Sequence, residues 1–297
     1  MNQNKKSKSS EEKSCPICEK KQNFMFTYQN FHYYKCSNCG QFSTYPFPTE
    51  SVIKKHYSSR FKKGNYLLLR KYAKQYSFVY NQFVEILKKR LKNENKTLKN
   101  KKILDIGCFT GGFLQLLKSE GSDIYGLELQ QEAVEIANKT LNGRVFNANV
   151  TTYNFPQKKY DIISLLGLIE HVPHPMELLY RSNELLKKDG LIIIQTPNSS
   201  SFLATILGKF WPPFSPVEHI HLFSRKSLEL ALYKSGFTNL EFVPHWKKLP
   251  VGYVYNMFNN FGPEFHFILK PLDKILKDLN IPLPFYIGEM IIVASKK

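Results

Sequence analysis

Residues 102–117 decide the fold, and they read KILDIGCFTGGFLQLL. The apolar run Lys102–Ile106 predicts a strand, the glycines after it predict a turn, and Gly112–Lys118 predicts the start of a helix. This order places the amides of a helix N-terminus over the end of the strand, where a carboxylate or phosphate can bind. The spacing is Asp-x-Gly-x-x-x-Gly. A dinucleotide-binding turn needs Gly-x-Gly-x-x-Gly and would have glycine in place of Phe109.

A second strand follows at the distance expected of a neighbour in a parallel sheet. The segment Asp123–Leu129 contains Gly126-Leu-Glu128, and Glu128 lies 21 residues after Gly107. An acid at the end of this strand can accept hydrogen bonds from both hydroxyls of a ribose. The glycine turn and Glu128 together predict a nucleoside-containing cofactor, and a solvated surface carboxylate is the alternative interpretation of Glu128.

Strands and helices alternate along the rest of the chain. Helices are predicted at Glu132–Leu141, Met176–Lys187 and Ser224–Ser235, and strands at Val145–Asn147, Tyr160–Leu166, Leu191–Gln195, Leu240–Val243 and Phe285–Ala294. The strands are apolar runs without polar alternation, which is typical of central strands covered by helices on both faces. This order predicts an α/β fold with a doubly wound sheet. Two insertions rich in aromatic residues interrupt it, at about 198–223 and 245–284.

Four of the five cysteines form two close pairs near the N-terminus. The pairs are separated by 17 residues, and each has the spacing Cys-x-x-Cys, which matches a tetrahedral zinc site of four thiolates. A unit of about 30 residues buries too little apolar surface to fold alone, so the ion would supply folding energy. We therefore predict a zinc ribbon over residues 15–47, with a structural Zn²⁺ bound by Cys15, Cys18, Cys36 and Cys39. The aromatic residues around the pairs are interpreted as its seam with the next domain, and a base-stacking surface is the alternative.

Positive charge is concentrated in the N-terminal third of the chain. The net charge is +18, and +15 of it falls within residues 1–100. This third is interpreted as a disordered tail over 1–14, the ribbon, and a helical connector over 48–100. An anionic partner such as RNA, a nucleotide-linked substrate or a membrane surface is one explanation of the charge, and solvated lysines are the other. The sequence shows no signal peptide and no apolar run of about 18 residues, so we expect a cytoplasmic protein.

Five segments carry a resemblance to a known family. They are Leu104–Gly111, Gly126–Glu128, Tyr160–Pro175, Leu185–Asn198 and His219–Phe237. Together they resemble the class I S-adenosylmethionine-dependent methyltransferases, especially the subgroup that includes ubiquinone-biosynthesis and surface-sugar methyltransferases. A four-cysteine ribbon also recurs in that subgroup. The resemblance implies a seven-stranded Rossmann-like methyltransferase domain over 101–297 and S-adenosyl-L-methionine as the cofactor.

The resemblance also implies roles for the glycine turn and the residues beside it. Asp105 and Gly107 would lie beside the methionine moiety of the cofactor. Gly111 would let the start of the following helix approach the cofactor. The family usually has glycine where this chain has Phe109. A bulky side chain there is expected to narrow the methionine end of the pocket.

The adenosine end of the cofactor is assigned by the same resemblance. Glu128 would hold the ribose hydroxyls, and Leu129 would pack on the adenine. Asn149 occupies the place of an acid that often contacts the adenine amine, and its side-chain oxygen would accept a hydrogen bond instead. Leu166 would line the pocket at the end of the fourth strand.

Three histidines are candidates for proton transfer. Methyl transfer is an in-line displacement that depends mainly on alignment, and a base is needed only if the acceptor must lose a proton. His171, directly after Glu170, is the first candidate, and His219 and His221 after the first insertion are the next. The structural alternative is that Glu170 and His171 orient the chain above the sheet. The spacing of these residues predicts no catalytic metal site.

The sequence predicts methyl transfer to a small-molecule or glycan acceptor, including a lipid-linked one. An RNA methyltransferase and a non-catalytic zinc-ribbon binding protein are the alternatives. RNA is not favoured, because the aromatic insertions are poor in Lys and Arg. The segment Phe202–Phe214 is interpreted as a lid over an apolar acceptor. The stretch Phe267–Leu279 is interpreted as a helix that covers the sheet edge, with peripheral membrane contact as the alternative.

Overall fold

The computed structural model describes most of the chain. The described residues are 12–49, 51–52, 73–155, 159–252, 254–255 and 270–297. Much of the predicted tail and connector, the centre of the second insertion and the beginning of the stretch Phe267–Leu279 therefore lie outside the described residues. No helix within the described ranges is both long enough and apolar enough to cross a bilayer.

Residues 12–49, which we call the N-terminal module, form a small antiparallel sheet. Its strands are β1 (Lys13–Ser14), β2 (Lys21–Tyr28), β3 (Phe31–Cys36) and β4 (Phe42–Tyr45). They pair in chain order, as a meander. Both cysteine pairs lie at the turns of this meander, one before β2 and one at the junction of β3 and β4.

The larger sheet has seven strands. They are β5 (Lys102–Ile106), β6 (Asp123–Glu128), β7 (Val145–Asn147), β8 (Tyr160–Leu166), β9 (Leu186–Pro197), β11 (Phe237–Pro250) and β12 (Pro282–Lys296). Their order across the sheet is β11-β12-β9-β8-β5-β6-β7. The five strands from β9 to β7 are parallel, and β12 pairs antiparallel with both β9 and β11, so that β11 runs in the same direction as the five. The predicted seven-stranded α/β sheet is confirmed.

Helices cover both faces of this sheet. They are α1 (Ala73–Lys92), α2 (Gly112–Ser119), α3 (Gln131–Leu141), α4 (Pro175–Leu185), α5 (Phe202–Leu207), α6 (Arg225–Lys234) and α7 (Asp273–Leu276). The apolar residues of α1, α2 and α3 pack on one face, and those of α4 and α6 pack on the other. The sheet is therefore doubly wound, and the carboxyl ends of its parallel strands lie at one edge.

Element bounds differ from the sequence prediction mainly at the antiparallel side. β5, β7 and β8 have the predicted bounds. The helix expected to run to Lys187 ends at Leu185, because Leu186 already pairs with Tyr160 of β8. β11 continues to Pro250 and β12 begins at Pro282, so the two strands extend into the predicted second insertion. They pair with each other along this extension, which supports strand geometry that local sequence did not indicate.

The N-terminal module joins the larger domain through a shared strand. β10 (His221–Leu222) pairs with β4, with His221 opposite Ser43. A small apolar cluster seals this seam, formed by Tyr33, Phe42, Ala204, Trp211, Phe214 and Leu222. Tyr33 and Phe42 thus have the seam role predicted for the ribbon aromatics, whereas Phe24 stays half exposed.

One buried carboxylate ties together the three strands at the antiparallel side. Glu289 of β12 accepts hydrogen bonds from Gln195 Nε2 of β9 at 2.7 Å and from His245 Nδ1 of β11 at 2.8 Å. Lys247 Nζ of β11 lies 2.7 Å from its other oxygen. Burial opposes ionisation of Glu289, but the Lys247 charge and the hydrogen bond from His245 outweigh it and lower the pKa to about 2.

We expect this carboxylate to make the fold acid-sensitive. A depressed folded-state pKa contributes stability above the unfolded value of about 4.3, and this stability is lost as the pH falls towards 2. The contribution is at most about 3 kcal/mol. In urea unfolding, the free energy of unfolding of Glu289→Gln should therefore fall less between about pH 4.5 and pH 2.5 than that of the parent chain. The exposed Glu177→Gln is the matched control, and equal slopes for Glu289→Gln and the parent would contradict the assignment.

Candidate functional site

The glycine turn is fixed to the strand beside it. The amides of Gly107 and Cys108 donate to the carbonyl of Leu127 at 2.8 and 3.1 Å. Gly107 and Gly111 both have φ of +76°, the left-handed region that favours glycine. A Cβ on Gly111 would also lie 2.5 Å from Leu141 Cδ1 of α3. Glycine at 111 is thus required by the packing of α2 on α3, whatever it contributes to cofactor binding.

Phe109 keeps the shape of the turn without being glycine. Its φ is +48°, so it occupies the left-handed conformation that glycine adopts without steric cost. Its amide donates to Glu128 Oε2 at 3.0 Å, which ties the turn to the end of β6. The departure from the family pattern therefore alters the side chain at this position while the backbone conformation remains one that suits glycine.

Glu128 sits at the centre of the predicted ribose site. Its Oε1 accepts from the amides of Leu129 and Gln130 at 2.8 and 2.9 Å, in addition to the bond from Phe109. Burial raises the pKa of Glu128, and the three amides oppose this shift. Beside it, the Leu129 side chain is 68% exposed. An exposed leucine next to a polar pocket is suited to cover a flat aromatic base.

The next strand end places two asparagines near this pocket. Asn149 is exposed, and its Oδ1 accepts from the amide and hydroxyl of Thr151 at 3.1 and 3.0 Å. Asn147 pairs with Glu128 across the sheet, and its Nδ2 donates to the carbonyls of Glu128 and Leu129. Sequence reasoning missed Asn147, although its position at the end of β7 could have indicated it.

Asp105 lies at the end of β5 and is buried. Ser164 of β8, its partner in the parallel register, donates to Asp105 Oδ1 at 2.6 Å. Burial raises the pKa of Asp105 to about 7, with the Ser164 bond opposing and the charge of Glu128 contributing to the increase. A carboxyl with such a pKa can lose its proton and become negatively charged when a cationic group binds beside it. Ser164 is a second residue that the sequence did not single out.

Glu170, His171 and His219 meet above the end of β8. One ligand atom of each lies within 4.8 Å of the others, and the two imidazole ring centroids are 4.9 Å apart. His171 Nδ1 lies 2.6 Å from the carbonyl of Glu218, and His219 Nδ1 lies 2.7 Å from that of Pro213. Because a carbonyl only accepts, both Nδ1 atoms carry a proton and donate to these carbonyls.

Burial sets the protonation of this cluster. It raises the pKa of Glu170 to about 7 and lowers that of His219 to about 4, with the neighbouring His171 adding to the second shift. Thr196 donates to Glu170 Oε2 at 2.9 Å. A neutral His219 ring beside a carboxyl can accept a proton at Nε2, and one ligand atom from each of the three residues together suits a divalent cation. The sequence predicted no such cluster, because His219 arrives from a distant loop.

His221 lies in the seam between the N-terminal module and the larger domain. Its Nε2 lies 3.2 Å from the carbonyl of Pro173, and its Nδ1 lies 3.1 Å from Ser43 Oγ. The side chain is fully buried, and burial lowers its pKa to about 4. Both ring nitrogens are thus occupied by structural hydrogen bonds, and the structure does not bring His221 into the cluster with His171 and His219.

The four N-terminal cysteines form a geometry that fits a metal ion. All four Sγ atoms lie within 4.8 Å of one another. Two equivalent turns build the site, since the amide of Glu19 donates to the Cys15 carbonyl and the amide of Gly40 donates to the Cys36 carbonyl, each at 2.9 Å. Both Glu19 and Gly40 have a positive φ. Within the described residues these four sulfurs form the whole group, and four converging sulfurs are a donor set that fits Zn²⁺.

A family described as a methyltransferase domain matches residues 78–241, which is more than half of the chain. The ubiquinone biosynthesis O-methyltransferase of Actinobacillus pleuropneumoniae serotype 5b is 30% identical over 120 residues, covering 36% of this chain and 51% of that protein. The enzyme of the same description from Coxiella burnetii is 28% identical over 119 residues, covering 38% and 51%. The chain thus spans about half the length of these curated relatives.

Two solved structures share the fold. The YcgJ protein of Bacillus subtilis superposes with a TM-score of 0.52 at 15% identity, covering 73% of this chain and 99% of that one. An S-adenosylmethionine-dependent methyltransferase of Thermotoga maritima, described as a possible histamine N-methyltransferase, gives 0.52 at 20% identity, covering 82% and 98%. At these identities the likeness concerns the architecture, and it agrees with the seven-stranded sheet.

We expect the cysteine site to hold one zinc ion per chain in elemental analysis. Changing Cys15 and Cys18 together to Ser should remove the ion and unfold the N-terminal module, because a unit of this size has little other folding energy. Cys108→Ser, outside the cluster, is the matched control and should retain the metal. A natively folded parent chain without zinc would show that the site is not a zinc site.

Proposed function

Because the chain belongs to the methyltransferase domain family, we propose that it transfers the methyl group of S-adenosylmethionine to a small-molecule acceptor. The observation that carries this proposal is the row of polar groups at the open edge of the sheet. Asp105, the glycine turn 107–111 and Glu128 end adjacent parallel strands. Open α/β sheets bind ligands at this edge, where the strand order reverses. Here the reversal falls between β5 and β8.

Each part of the cofactor would have suitable residues at this edge. S-adenosylmethionine, when bound, supplies a methyl group activated by a sulfonium. Glu128 would exchange amide hydrogen bonds for those of ribose hydroxyls, and Leu129 would cover the adenine. Asn149 would contact the adenine amine, and Leu166 would line the pocket. The buried Asp105, with Gly107, would face the cationic methionine end of the cofactor. Because the pKa of Asp105 is raised, binding of this cationic group would favour loss of the Asp105 proton.

His171 and His219 are the proposed proton acceptors. Each ring donates from Nδ1 to a backbone carbonyl, and an imidazole in its neutral form can take the proton of an acceptor hydroxyl at Nε2 as the methyl arrives. His219 is neutral at pH 7 because burial lowers its pKa to about 4. His221 is not proposed as a proton acceptor, because both of its ring nitrogens make hydrogen bonds in the seam between the N-terminal module and the larger domain.

The surroundings of the cluster favour a small-molecule or glycan acceptor over RNA. The loop that carries His219 is apolar, with Trp211 and Phe214 buried against the N-terminal module. In α5, Phe202 is 79% exposed and Ile206 is 62% exposed. These side chains suit an apolar or sugar-bearing acceptor, and with a lipid-linked acceptor they would meet a membrane surface. We also infer that the zinc of the N-terminal module is structural.

We expect S-adenosylmethionine to bind with micromolar affinity in calorimetry. Glu128→Ala should weaken binding by about tenfold or more, because about 1.4 kcal/mol per decade is within reach of two lost charge-assisted hydrogen bonds. Glu132→Ala, an exposed acid at the start of α3, is the matched control and should bind as the parent does. Binding of NADH in place of S-adenosylmethionine would overturn the cofactor assignment.

We expect tritiated methyl groups to enter a small-molecule or lipid fraction and not RNA or protein. His171→Asn should reduce the incorporation by about a hundredfold or more if the acceptor must lose a proton.

RNA binding should be weak and lost near physiological salt, as for solvated lysines. Methyl incorporation into one structured RNA, with salt-resistant binding and a steep salt slope, would support the RNA alternative. S-adenosylmethionine binding without transfer to any fraction would support the non-catalytic alternative.

A further inference from the structure

The cysteine site and the histidine cluster are joined by one short run of structure. Ser224 Oγ donates to the carbonyl of Cys39 at 2.6 Å, three residues after His221. Gly40 packs so closely against Ser224 that a Cβ there would lie 3.0 Å from its hydroxyl. The second metal-binding turn therefore rests directly on the segment that follows the histidine loop.

A chain of hydrogen bonds crosses the seam from the N-terminal module to the end of β8. Gln22 Nε2 donates to Ser43 Oγ at 3.2 Å. The Pro173 carbonyl accepts from His221 Nε2, so His221 Nδ1 carries the lone pair and accepts from Ser43. Pro173 lies two residues after His171. A buried chain of this kind, with each donor matched to an acceptor, fixes the positions of all its members.

The backbone of the histidine loop makes the same connection. The amide of Thr44 in β4 donates to the carbonyl of Ile220 at 3.0 Å, and the amide of His221 donates to the carbonyl of Glu170 at 3.0 Å. The strand β10 thus lies between the N-terminal module and the chain that carries Glu170. Any displacement of β4 shifts both His219 and Glu170.

Aromatic packing holds the first half of the loop. The ring of Phe214 lies 5.1 Å from that of Phe26, 5.0 Å from that of Tyr33 and 5.4 Å from that of Phe42. Pro213, the preceding residue, supplies the carbonyl that orients the His219 ring. The residue that follows the Pro213 carbonyl is therefore packed against aromatic side chains of the N-terminal module.

We propose that the metal-bound N-terminal module positions Glu170, His171 and His219, with His221 as the positioning residue that links the two. The role of this cluster towards the methyl acceptor rests on the proposed function. The mechanical link, by which we mean the support of the cluster by the N-terminal module, does not. The cofactor edge formed by Asp105, the glycine turn and Glu128 has its own hydrogen bonds within the larger sheet. Loss of the metal should therefore loosen the histidine cluster and leave the cofactor edge in place.

Hydrogen exchange on the full chain tests the link without any turnover. The amides of Trp211, Phe214, His219 and His221 all donate backbone hydrogen bonds, so their exchange reports opening of the loop. Removing zinc with a chelator should speed exchange at these amides by about tenfold or more, and adding zinc back should reverse the change. Exchange at Gly107 and Cys108, and the calorimetric affinity for S-adenosylmethionine, should change by less than about threefold.

Two variants at one position separate positioning from bulk packing. His221→Leu leaves Ser43 and the Pro173 carbonyl without their buried partner, and we expect it to speed loop exchange by about tenfold with zinc still bound. His221→Gln keeps a donor near the Nε2 position and should restore most of the protection. In ¹⁵N spectra, the ring signals of His171 and His219 should show one tautomer in the zinc-bound parent and averaging in His221→Leu.

Each outcome decides the proposal. Loop exchange that is unchanged by zinc removal overturns it. Equal loosening of the loop and of Gly107 and Cys108 also overturns it, because the metal would then support the whole fold. A chain that shows the selective loop response but binds no S-adenosylmethionine keeps the mechanical link and contradicts the proposed function instead.

Discussion

Parallel pairing of β5 with β6 and β8 is the interaction on which the rest of the structure depends. Its register places Asp105 opposite Ser164 and ends β6 at Glu128, one strand away. Helices bury both faces of these strands, so the strand ends are where polar groups can meet a ligand. The glycine turn follows the same pairing, because the amides of Gly107 and Cys108 both donate to the carbonyl of Leu127 in β6.

Acidic side chains lie at this edge in apolar surroundings, and loss of solvent contact shifts their pKa values. Asp105 and Glu170 are both buried, and burial raises the pKa of each to about 7. Each has a hydroxyl partner, Ser164 for Asp105 and Thr196 for Glu170. A buried carboxyl near neutrality can gain or lose its charge at little cost, which is typical of functional sites. Glu289 behaves in the opposite way, because Lys247 stabilises its charge, and it serves the fold.

The N-terminal module is a second support for the same edge. Glu170 and His171 follow β8 of the large sheet, and His219 lies in the aromatic loop before β10, which pairs with β4 of the N-terminal module. Residues that follow the large sheet and residues that contact the N-terminal module therefore meet at the histidine cluster. This arrangement also explains why the loop is aromatic: Trp211 and Phe214 fill the seam, and only Phe202 and Ile206 of α5 remain largely exposed.

The sequence by itself determined the α/β order, the bounds of β5, β7 and β8, the glycine turn with Glu128, and the two cysteine pairs. These features depend on residues close together in the chain, where periodicity and spacing express the local geometry. Only the tertiary structure brought His219 to His171, placed His221 in the seam, paired Ser164 with Asp105 and joined Glu289 to Gln195, His245 and Lys247. Those contacts join residues 42 to 178 positions apart, and their partners are chosen by strand order and by packing of the N-terminal module, which no local pattern encodes.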